Sequence, residues 1–287
     1  MPVIFVHGVP DTERVWRKVI ARLDRSDVVT VRLPGFGGPV PPGFDATKDA
    51  YAAWLVEQIV SHAEPVDLVG HDWGAILAVR AASLRPDRVR SWAAGGAPLD
   101  PDYVWHQAAQ AWQTPEVGEA VMQRLTPEAL AKALAAAGVP EDDAREAAAH
   151  LDETMKQCIL RLYRSAVHAG REWLPELARI PRRGLVLWGE ADPYAGVEFG
   201  RRLAEPHRRP VRPARELLPL VAARAPGRGG GGAWRPLAIG GLGPRDLGSR
   251  RDRAPPALRR DRSRRCGIVS SHAGARRGPR HHTRSAQ

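Results

Sequence analysis

Ten residues, 66–75, constrain the fold of this chain more than any other stretch. An apolar run there ends in Gly-His-Asp-Trp-Gly and passes directly into a helical pattern at 75–84. Such a strand, sharp turn and helix lift one side chain above the carboxyl edge of a parallel sheet. Gly70 and Gly74 permit the strained turn and the close packing of the helix behind it. The stretch therefore predicts that Asp72 is raised at the edge of a parallel sheet.

A carboxylate raised in this position can act as a nucleophile. Asp72 could attack an electrophilic carbon and form an ester, which water must then hydrolyse. The alternative is an ordinary turn between a strand and a helix that carries a solvated aspartate. The motifs elsewhere in the chain favour the first interpretation, in which the turn is a nucleophile elbow.

Strand and helix patterns alternate along most of the first 205 residues. Apolar, β-branched runs predict strands at 2–6, 27–33, 66–69, 89–94 and 184–189, and helical patterns lie between them at 12–23, 46–62 and 75–84. This alternation predicts an α/β fold, a parallel sheet with helices on both faces. Residues 100–176 interrupt the alternation with a run of helices, which we expect to form an inserted lid over the carboxyl edge.

A change of composition near residue 206 completes the predicted domain organisation. Residues 1–99 and 178–205 form the two parts of the core, 100–177 form the helical lid, and 206–287 form an Arg/Gly/Pro-rich tail that we expect to be disordered. The tail contains 20 Arg, no Lys and 4 acidic residues, a net charge of +16, whereas the whole chain carries +11. The first 205 residues thus carry −5, and the basicity belongs wholly to the tail.

The tail is a poor match to a nucleic-acid-binding segment. Its arginines could neutralise phosphates, but its sequence has no aromatic residue besides Trp234, no zinc-ligand spacing and no helical pattern that could enter a groove. We predict no specific nucleic-acid partner.

The chain also has no apolar segment long enough for a membrane and no signal-peptide pattern. Cys158 and Cys266 give no disulfide framework, so a cytoplasmic location is predicted.

Four motifs follow one another in a specific order. They are His-Gly-Val-Pro at 7–10, Pro-Gly-Phe-Gly at 34–37, Gly-His-Asp-Trp-Gly at 70–74 and Trp-Gly-Glu-Ala-Asp-Pro at 188–193. Together they resemble the α/β-hydrolase superfamily, in the aspartate-nucleophile branch that contains epoxide hydrolases and haloalkane dehalogenases. The resemblance covers residues 1–205 and implies an α/β-hydrolase fold that begins at the third strand of the family's sheet.

This resemblance implies roles for four residues. Asp72 would be the nucleophile, and Asp192 would orient a histidine base, with a simple helix cap or loop turn before Pro193 as the alternative for Asp192. The backbone N–H groups of Val9 and Trp73 would form the oxyanion hole, whose donors point at the developing negative charge.

The lid is expected to decide the substrate. Epoxide hydrolases use lid tyrosines to donate hydrogen bonds to the epoxide oxygen, and Tyr163 is the better candidate, with Tyr103 second because it lies early in the lid. A half-buried tyrosine without a catalytic role is the alternative for either. Dehalogenases bind the leaving halide with N–H donors, of which Trp73 matches one, whereas Val9 stands where an asparagine often supplies the other. Epoxide hydrolysis is therefore preferred, with dehalogenation as the alternative.

The expected histidine base is missing from its place after Asp192. A hydrolase of this kind needs it to activate the water that hydrolyses the ester. His207 comes too soon, and the later histidines lie in a stretch without periodicity; these are His272, His281 and His282. The two motif histidines that we expect to hold loop geometry are His7 and His71.

A slipped reading frame would explain this absence. Read one base later with third positions chosen freely, the codons of residues 207–215 can encode Thr-Gly-Ala-Arg-Phe-Val-Pro-Leu-Glu, and those of 216–222 can encode Ser-Cys-Ser-His-Trp-Trp-Pro. The product is a strand, a loop with histidine at position 219 and a helix start. We therefore hypothesise that the frame shifts near Pro206, with loss of the C-terminal strand and helix of the fold.

The predicted function is hydrolysis of a small-molecule substrate through a covalent aspartyl ester, impaired in this chain because the base acts in the second step. A catalytically dead product that keeps the fold is the alternative. The motifs imply neither a metal nor an organic cofactor, and nothing in the sequence sets the oligomeric state.

The nucleotide sequence tests the frame hypothesis directly. We expect codons 216–221 to read Ser-Cys-Ser-His-Trp-Trp in the next frame, because this restores the histidine that the chemistry requires. Any other reading of those six codons contradicts the hypothesis.

Overall fold

A six-stranded parallel sheet forms the centre of the fold. The computed structural model describes residues 1–181, 183–190 and 192–205 and the backbone of Val211–Pro213. The strands are β1 (Val3–Val6), β2 (Val28–Val31), β3 (Val66–His71), β4 (Val89–Gly95), β5 (Gly184–Trp188) and β6 (Val211–Pro213). Their order is β2-β1-β3-β4-β5-β6, and every neighbouring pair is parallel. The α/β-hydrolase type of sheet that the sequence predicts is thus confirmed.

Helices follow the strands and fill the stretch between β4 and β5. They are α1 (Arg17–Ile20), α2 (Lys48–Val60), α3 (Trp73–Leu84), α4 (Gln107–Gln113), α5 (Val117–Arg124), α6 (Pro127–Ala136), α7 (Glu141–Ala148), α8 (Glu153–Ser165), α9 (Ala169–Trp173) and α10 (Val197–Ala204). Two 3-10 helices, Glu13–Trp16 and Leu174–Arg179, precede α1 and follow α9. Among the described residues, no helix has the length and apolarity needed to cross a bilayer.

Side-chain caps set several helix starts. Thr47 precedes α2 and accepts a hydrogen bond from the Ala50 N–H at 3.2 Å, and Asp152 precedes α8 and accepts from the Met155 N–H at 2.7 Å. Such caps satisfy amide groups that lack an intrahelical acceptor. Thr12 accepts instead from the N–H two residues on, and the single helix predicted at 12–23 is replaced by a 3-10 turn and one turn of α1.

The helices between β4 and β5 are anchored to the core at two places, near the end of the insertion and at α7. Near its end, the ring of Trp173 lies between the Lys48 ammonium, 4.9 Å from the ring centroid, and the Arg80 guanidinium, at 5.0 Å. The Trp173 indole N–H also donates to Asp49 Oδ1 at 3.1 Å. Cations over an aromatic face are attracted by its quadrupole, so α2 and α3 hold the return of the insertion firmly.

Ion pairs attach α7 to the first helical turn of the core. Asp143 accepts from Arg17 at 2.7 Å and from Lys18, and Glu146 pairs with Arg14 at 3.3 Å and with Arg17. The three basic side chains are about half exposed. Each such pair contributes little alone because solvent screens it, so this contact is weaker than the one at Trp173.

One expectation at the C-terminal edge needs correction. The sequence predicts loss of the strand that follows Asp192, yet β6 pairs with β5 in parallel register, from Val186 with Val211 to Trp188 with Pro213. Three residues of extended backbone suffice for this pairing because strand pairing uses main-chain groups. The predicted loss of the next helix, and the predicted tail at 206–287 apart from β6, lie outside the described residues.

The turn between β3 and α3 is closely packed against the main chain of the core. A Cβ at Gly74 would lie 2.2 Å from the Val6 carbonyl oxygen, and one at Gly70 would lie 2.2 Å from the Gly74 carbonyl oxygen. α3 is buried along most of its length, with Leu77 fully inaccessible. Main chain therefore contacts main chain here, and the interior is packed too densely to make room for an added methyl group.

We expect Gly74→Ala to lower the free energy of unfolding by about 3 kcal/mol because the new methyl must displace main chain of β1. Gly189→Ala is the matched control, since its Cβ would meet its nearest atom at an ordinary 3.6 Å, and we expect a change below about 1 kcal/mol. Urea denaturation of both variants measures the difference. Equal stability of the two would contradict the packing described.

Candidate active site

Asp72 lies between the last residue of β3 and the first residue of α3. Its backbone has φ +54° and ψ −131°, a left-handed conformation that costs energy in a residue other than glycine. Its side chain makes no capping hydrogen bond to α3, although aspartate is a favoured cap. Instead, Asp72 Oδ1 accepts a hydrogen bond from the Val9 N–H at 2.7 Å. The turn thus directs a half-buried carboxylate away from its own helix and toward the loop after β1.

Gly8 allows this approach of carboxylate and loop. A Cβ at Gly8 would lie 2.3 Å from Asp72 Oδ1 and 2.4 Å from Asp72 Cβ. Any side chain at this position would occupy the space of the Asp72 carboxylate. The His-Gly-Val-Pro motif therefore places a bare stretch of backbone, with the N–H of Val9, against the carboxylate.

The two motif histidines lie beside this turn. The His7 ring is fully buried; its Nδ1–H donates to the Gly8 carbonyl oxygen at 2.8 Å, and its Nε2 accepts from the Leu33 N–H at 3.0 Å. Burial lowers the pKa of His7, which is consistent with a neutral ring between one acceptor and one donor. The His71 ring meets the ring of Trp16 edge-on at 6.5 Å.

Asp192 lies in the loop after β5. Its Oδ1 accepts from the N–H groups of Tyr194 at 2.9 Å and Ala195 at 3.2 Å. Such bonds are typical of a loop turn, which is the alternative role that the sequence offers for Asp192. They fix one carboxylate oxygen at the carboxyl edge of the sheet, the edge at which Asp72 also lies.

Both candidate lid tyrosines lie within the electrostatic influence of Asp72. Burial, and then the negative charges of Asp72 and Asp192, raise the pKa of the Tyr103 hydroxyl. Burial, and then the charge of Asp72, raise the pKa of Tyr163 well above its usual value. The Tyr103 hydroxyl donates to the Tyr194 carbonyl oxygen at 3.0 Å. The structure therefore brings both tyrosines near Asp72. Tyr103, although it lies early in the lid sequence, is near Asp192 as well.

Sequence reasoning missed an aromatic cluster that surrounds these tyrosines. The rings of Trp73 and Trp105 stack at 5.7 Å with an interplanar angle of 13°, and Tyr163 contacts both of them edge-on at 5.5 and 5.4 Å. Trp112 and His106 extend the cluster on the other side of Tyr163, at 4.8 and 6.4 Å. The signal was available as the run Tyr-Val-Trp-His at 103–106.

Trp73 has a second feature. It is the first residue of α3, where a backbone N–H has no intrahelical acceptor. Its indole Nε1 is buried and meets no hydrogen-bond acceptor among the described residues at bonding geometry. Interaction with the Trp73 side chain lowers the pKa of the Tyr163 hydroxyl, although the larger effect of burial raises it. A buried N–H that meets no acceptor at bonding geometry is available to an acceptor on a ligand.

His106 is the histidine of the cluster. Its Nδ1 accepts from the Ala109 N–H at 3.3 Å, which caps α4, and its ring lies 4.9 Å from that of Tyr194. Burial lowers its pKa from 6.5 to about 4. Between these values the unfolded chain binds a proton that the folded chain does not, so stability is complete above pH 6.5 and falls as the pH decreases.

We expect His106→Asn to make the free energy of unfolding less dependent on pH between 6.5 and 4. Asparagine can keep the cap but cannot titrate, so the slope should fall by up to about 1.4 kcal/mol per pH unit. Urea denaturation at several pH values measures both slopes. A residual slope is expected because His7 also has a lowered pKa; identical slopes in the two proteins would contradict the burial of His106.

The described residues contain no group of three or more His, Cys, Asp or Glu side chains placed to hold a metal ion. What the arrangement offers is a strained carboxylate, a backbone donor bound to it, and a buried aromatic wall with phenolic donors. These parts suit attack on a small apolar electrophile.

Comparison with known proteins finds hydrolases that are similar to this chain over short stretches. A haloalkane dehalogenase of Agrobacterium fabrum is 33% identical over 95 residues, 31% of this chain and 30% of the relative. Epoxide hydrolase 2 of Siraitia grosvenorii is 32% identical over 96 residues, 31% and 30% of the two chains. Lipase LipV of Mycobacterium tuberculosis is 33% identical over 90 residues, 30% and 33% of the two chains. The matches span about a third of the length of these relatives.

Solved structures share the fold over a longer stretch. The crystal structure of a haloalkane dehalogenase from Bradyrhizobium elkani USDA94 superposes with a TM-score of 0.58 and 22% identity, covering 74% of this chain and 80% of that one. Identity this low shows the fold alone. Residues 3–229, more than half of the chain, match the profile of the Alpha/beta hydrolase family. The chain therefore belongs to the alpha/beta hydrolase family.

Proposed function

We propose that this hydrolase acts through a covalent ester on Asp72 and that its substrate is a small epoxide. The hydrogen bond from the Val9 N–H to Asp72 Oδ1 carries the proposal. One carboxylate oxygen is held by a backbone donor, and the other attacks the substrate carbon. The left-handed backbone of Asp72 supports this role, since strain of this kind is concentrated at functional sites. In this interpretation the turn is a nucleophile elbow.

Ring opening needs a donor for the oxygen that leaves carbon. As the bond from Asp72 to carbon forms, the carbon–oxygen bond of the epoxide breaks, and the oxygen accepts a proton. Tyr163 is the donor we favour because it is buried close enough to Asp72 to be affected by its charge, and a tyrosine hydroxyl is protonated at neutral pH. The Tyr103 hydroxyl is bonded to the Tyr194 carbonyl, so it serves as the second donor only after exchanging that acceptor.

Hydrolysis of the ester is the second step. Water adds to the ester carbonyl carbon, and the negative charge that develops on its oxygen is held by the N–H groups of Val9 and Trp73. A histidine oriented by Asp192 would activate this water. The position proposed for it in the shifted frame, 219, lies outside the described residues. We propose that the chain as it stands forms the ester readily and releases it slowly, in the cytoplasm and without a cofactor.

Haloalkane dehalogenation is the second candidate, and one observation favours it. The indole N–H of Trp73, the residue after Asp72, is buried and meets no acceptor at bonding geometry in the described part of the chain. A halide leaving the attacked carbon could accept that hydrogen bond. The absence of a side-chain donor at Val9 keeps this candidate second.

Intact-protein mass spectrometry after incubation with styrene oxide tests the proposal. We expect a mass increase equal to one whole epoxide molecule, located by peptide mapping on the peptide that contains Asp72, because ring opening retains every substrate atom. Incubation with a bromoalkane distinguishes the second candidate, since its adduct has the mass of the alkyl group with bromide lost.

Two aspartate variants control this experiment. Asp72→Asn should give no adduct, whereas Asp102→Asn, which removes an exposed carboxylate near the start of the lid, should react like the parent. An unmodified parent chain that also consumes neither compound would refute the aspartyl-ester proposal and favour a catalytically dead product. Rapid multiple turnovers by this chain would refute the slow release.

A further inference from the structure

We propose that His7 is the positioning residue for the oxyanion donor, holding the Gly8–Val9 peptide so that its N–H points at Asp72. The inference rests on the function proposed above. It gives a specific task to a buried side chain that the reaction steps do not use.

One peptide unit connects the two residues. The carbonyl of Gly8 and the N–H of Val9 belong to the same planar group, so fixing the direction of one fixes the other. The Gly8 oxygen accepts from His7 Nδ1–H at 2.8 Å, while the Val9 nitrogen donates to Asp72 Oδ1 at 2.7 Å. Because Gly8 has no side chain to restrict its backbone, the direction of this peptide must be set by its partners.

The His7 ring is itself held from the other side. Its Nε2 accepts from the Leu33 N–H at 3.0 Å, and the ring of Phe36 meets it edge-on at 5.8 Å. An amide N–H can only donate, so Nε2 must be unprotonated and Nδ1 must carry the proton. The N–H of Leu33, two residues after β2, thus determines that His7 adopts the tautomer that can donate to Gly8.

This arrangement also excludes His7 as the missing base. Both ring nitrogens are engaged with backbone, and the side chain is fully buried. Its contribution is indirect: a hydrogen bond at the carbonyl polarises the peptide and makes the N–H at its other end a better donor. The Asp11 N–H also donates to the Gly8 oxygen at 3.1 Å, so loss of His7 should weaken the donor without abolishing it.

Two substitutions separate the two hydrogen bonds of His7. In His7→Asn the amide nitrogen can take the place of Nδ1 and donate to Gly8, but the acceptor for Leu33 is lost. In His7→Gln the amide oxygen can take the place of Nε2 and accept from Leu33, but the donor for Gly8 is lost. Each variant loses one buried hydrogen bond, so thermal denaturation should show that both are destabilised.

The rate of ester formation on Asp72 should respond differently. We expect His7→Gln to slow it about tenfold and His7→Asn to leave it within about threefold of the parent, because only the first loses the bond that directs the Val9 N–H, which holds the Asp72 carboxylate in position for attack. Rates that follow stability alone, or an unchanged rate in His7→Gln, would overturn the proposal.

Nuclear magnetic resonance provides a readout that does not depend on turnover. Labelling glycine carbonyls with ¹³C and valine nitrogens with ¹⁵N selects three peptide bonds in this sequence, 8–9, 138–139 and 196–197. The 8–9 signal is the one that moves in Asp72→Asn, and we expect it to move in His7→Gln and to stay in His7→Asn.

If neither variant folds, the proposal can still be tested on the parent protein. Histidine ¹⁵N spectra should show His7 protonated at Nδ1 and not at Nε2, and the opposite tautomer would overturn the proposal. A parent that forms no ester but shows the expected Val9 shifts would refute the function alone, so the two failures are distinguishable.

Discussion

The structure depends on one hydrogen bond between the ends of two adjacent strands, from the Val9 N–H to Asp72 Oδ1. β1 and β3 are neighbours in the sheet, so the loops that follow them meet above its carboxyl edge. The contact is possible only because Gly8 has no side chain. Gly74 is required for a similar reason, because a methyl group there would overlap the Val6 carbonyl oxygen of β1, and one at Gly70 would overlap the Gly74 carbonyl oxygen. Close packing of main chain on main chain thus holds the Asp72 carboxylate at a residue with a strained backbone. Burial of α3 behind it offsets the cost of that strain.

The helices inserted between β4 and β5 give this carboxylate an apolar environment. Trp73 belongs to the core and Trp105 to the insertion, and their stacked rings join the two next to Asp72. Tyr163 packs against both. Burial raises the pKa of Tyr103 and Tyr163, and the negative charge of Asp72 raises it further because charges interact more strongly in such surroundings than in water. The attachment at Trp173 is firm and the ion pairs at α7 are screened, so the two anchors of the insertion differ in strength.

Much of this could be predicted from residue types along the chain. The alternation of apolar runs with helical patterns predicted the parallel sheet because burial on both faces requires continuous apolar strands. The Gly-His-Asp-Trp-Gly turn predicted the position of Asp72, since only glycine tolerates such contacts. The aromatic cluster could not be predicted in the same way. The run of aromatic residues at 103–106 is visible in the sequence, but it packs against Trp73, Tyr163 and Tyr194, which lie far from it along the chain and meet it only when the insertion folds over the edge. The short strand β6 was missed because its pairing depends on the main chain of β5, which accepts almost any sequence.

The sequence by itself determined the family, the order of the elements and the residue raised at the turn, because glycine spacing and apolar periodicity are local consequences of sterics and burial. Only the tertiary structure decided which groups surround that residue. It placed the Val9 amide on Asp72, turned Asp192 toward the amides of its own loop, and brought Tyr103 as well as Tyr163 near the carboxylate. These contacts join segments separated by tens of residues, and their geometry depends on how densely the intervening side chains pack, which no local pattern encodes.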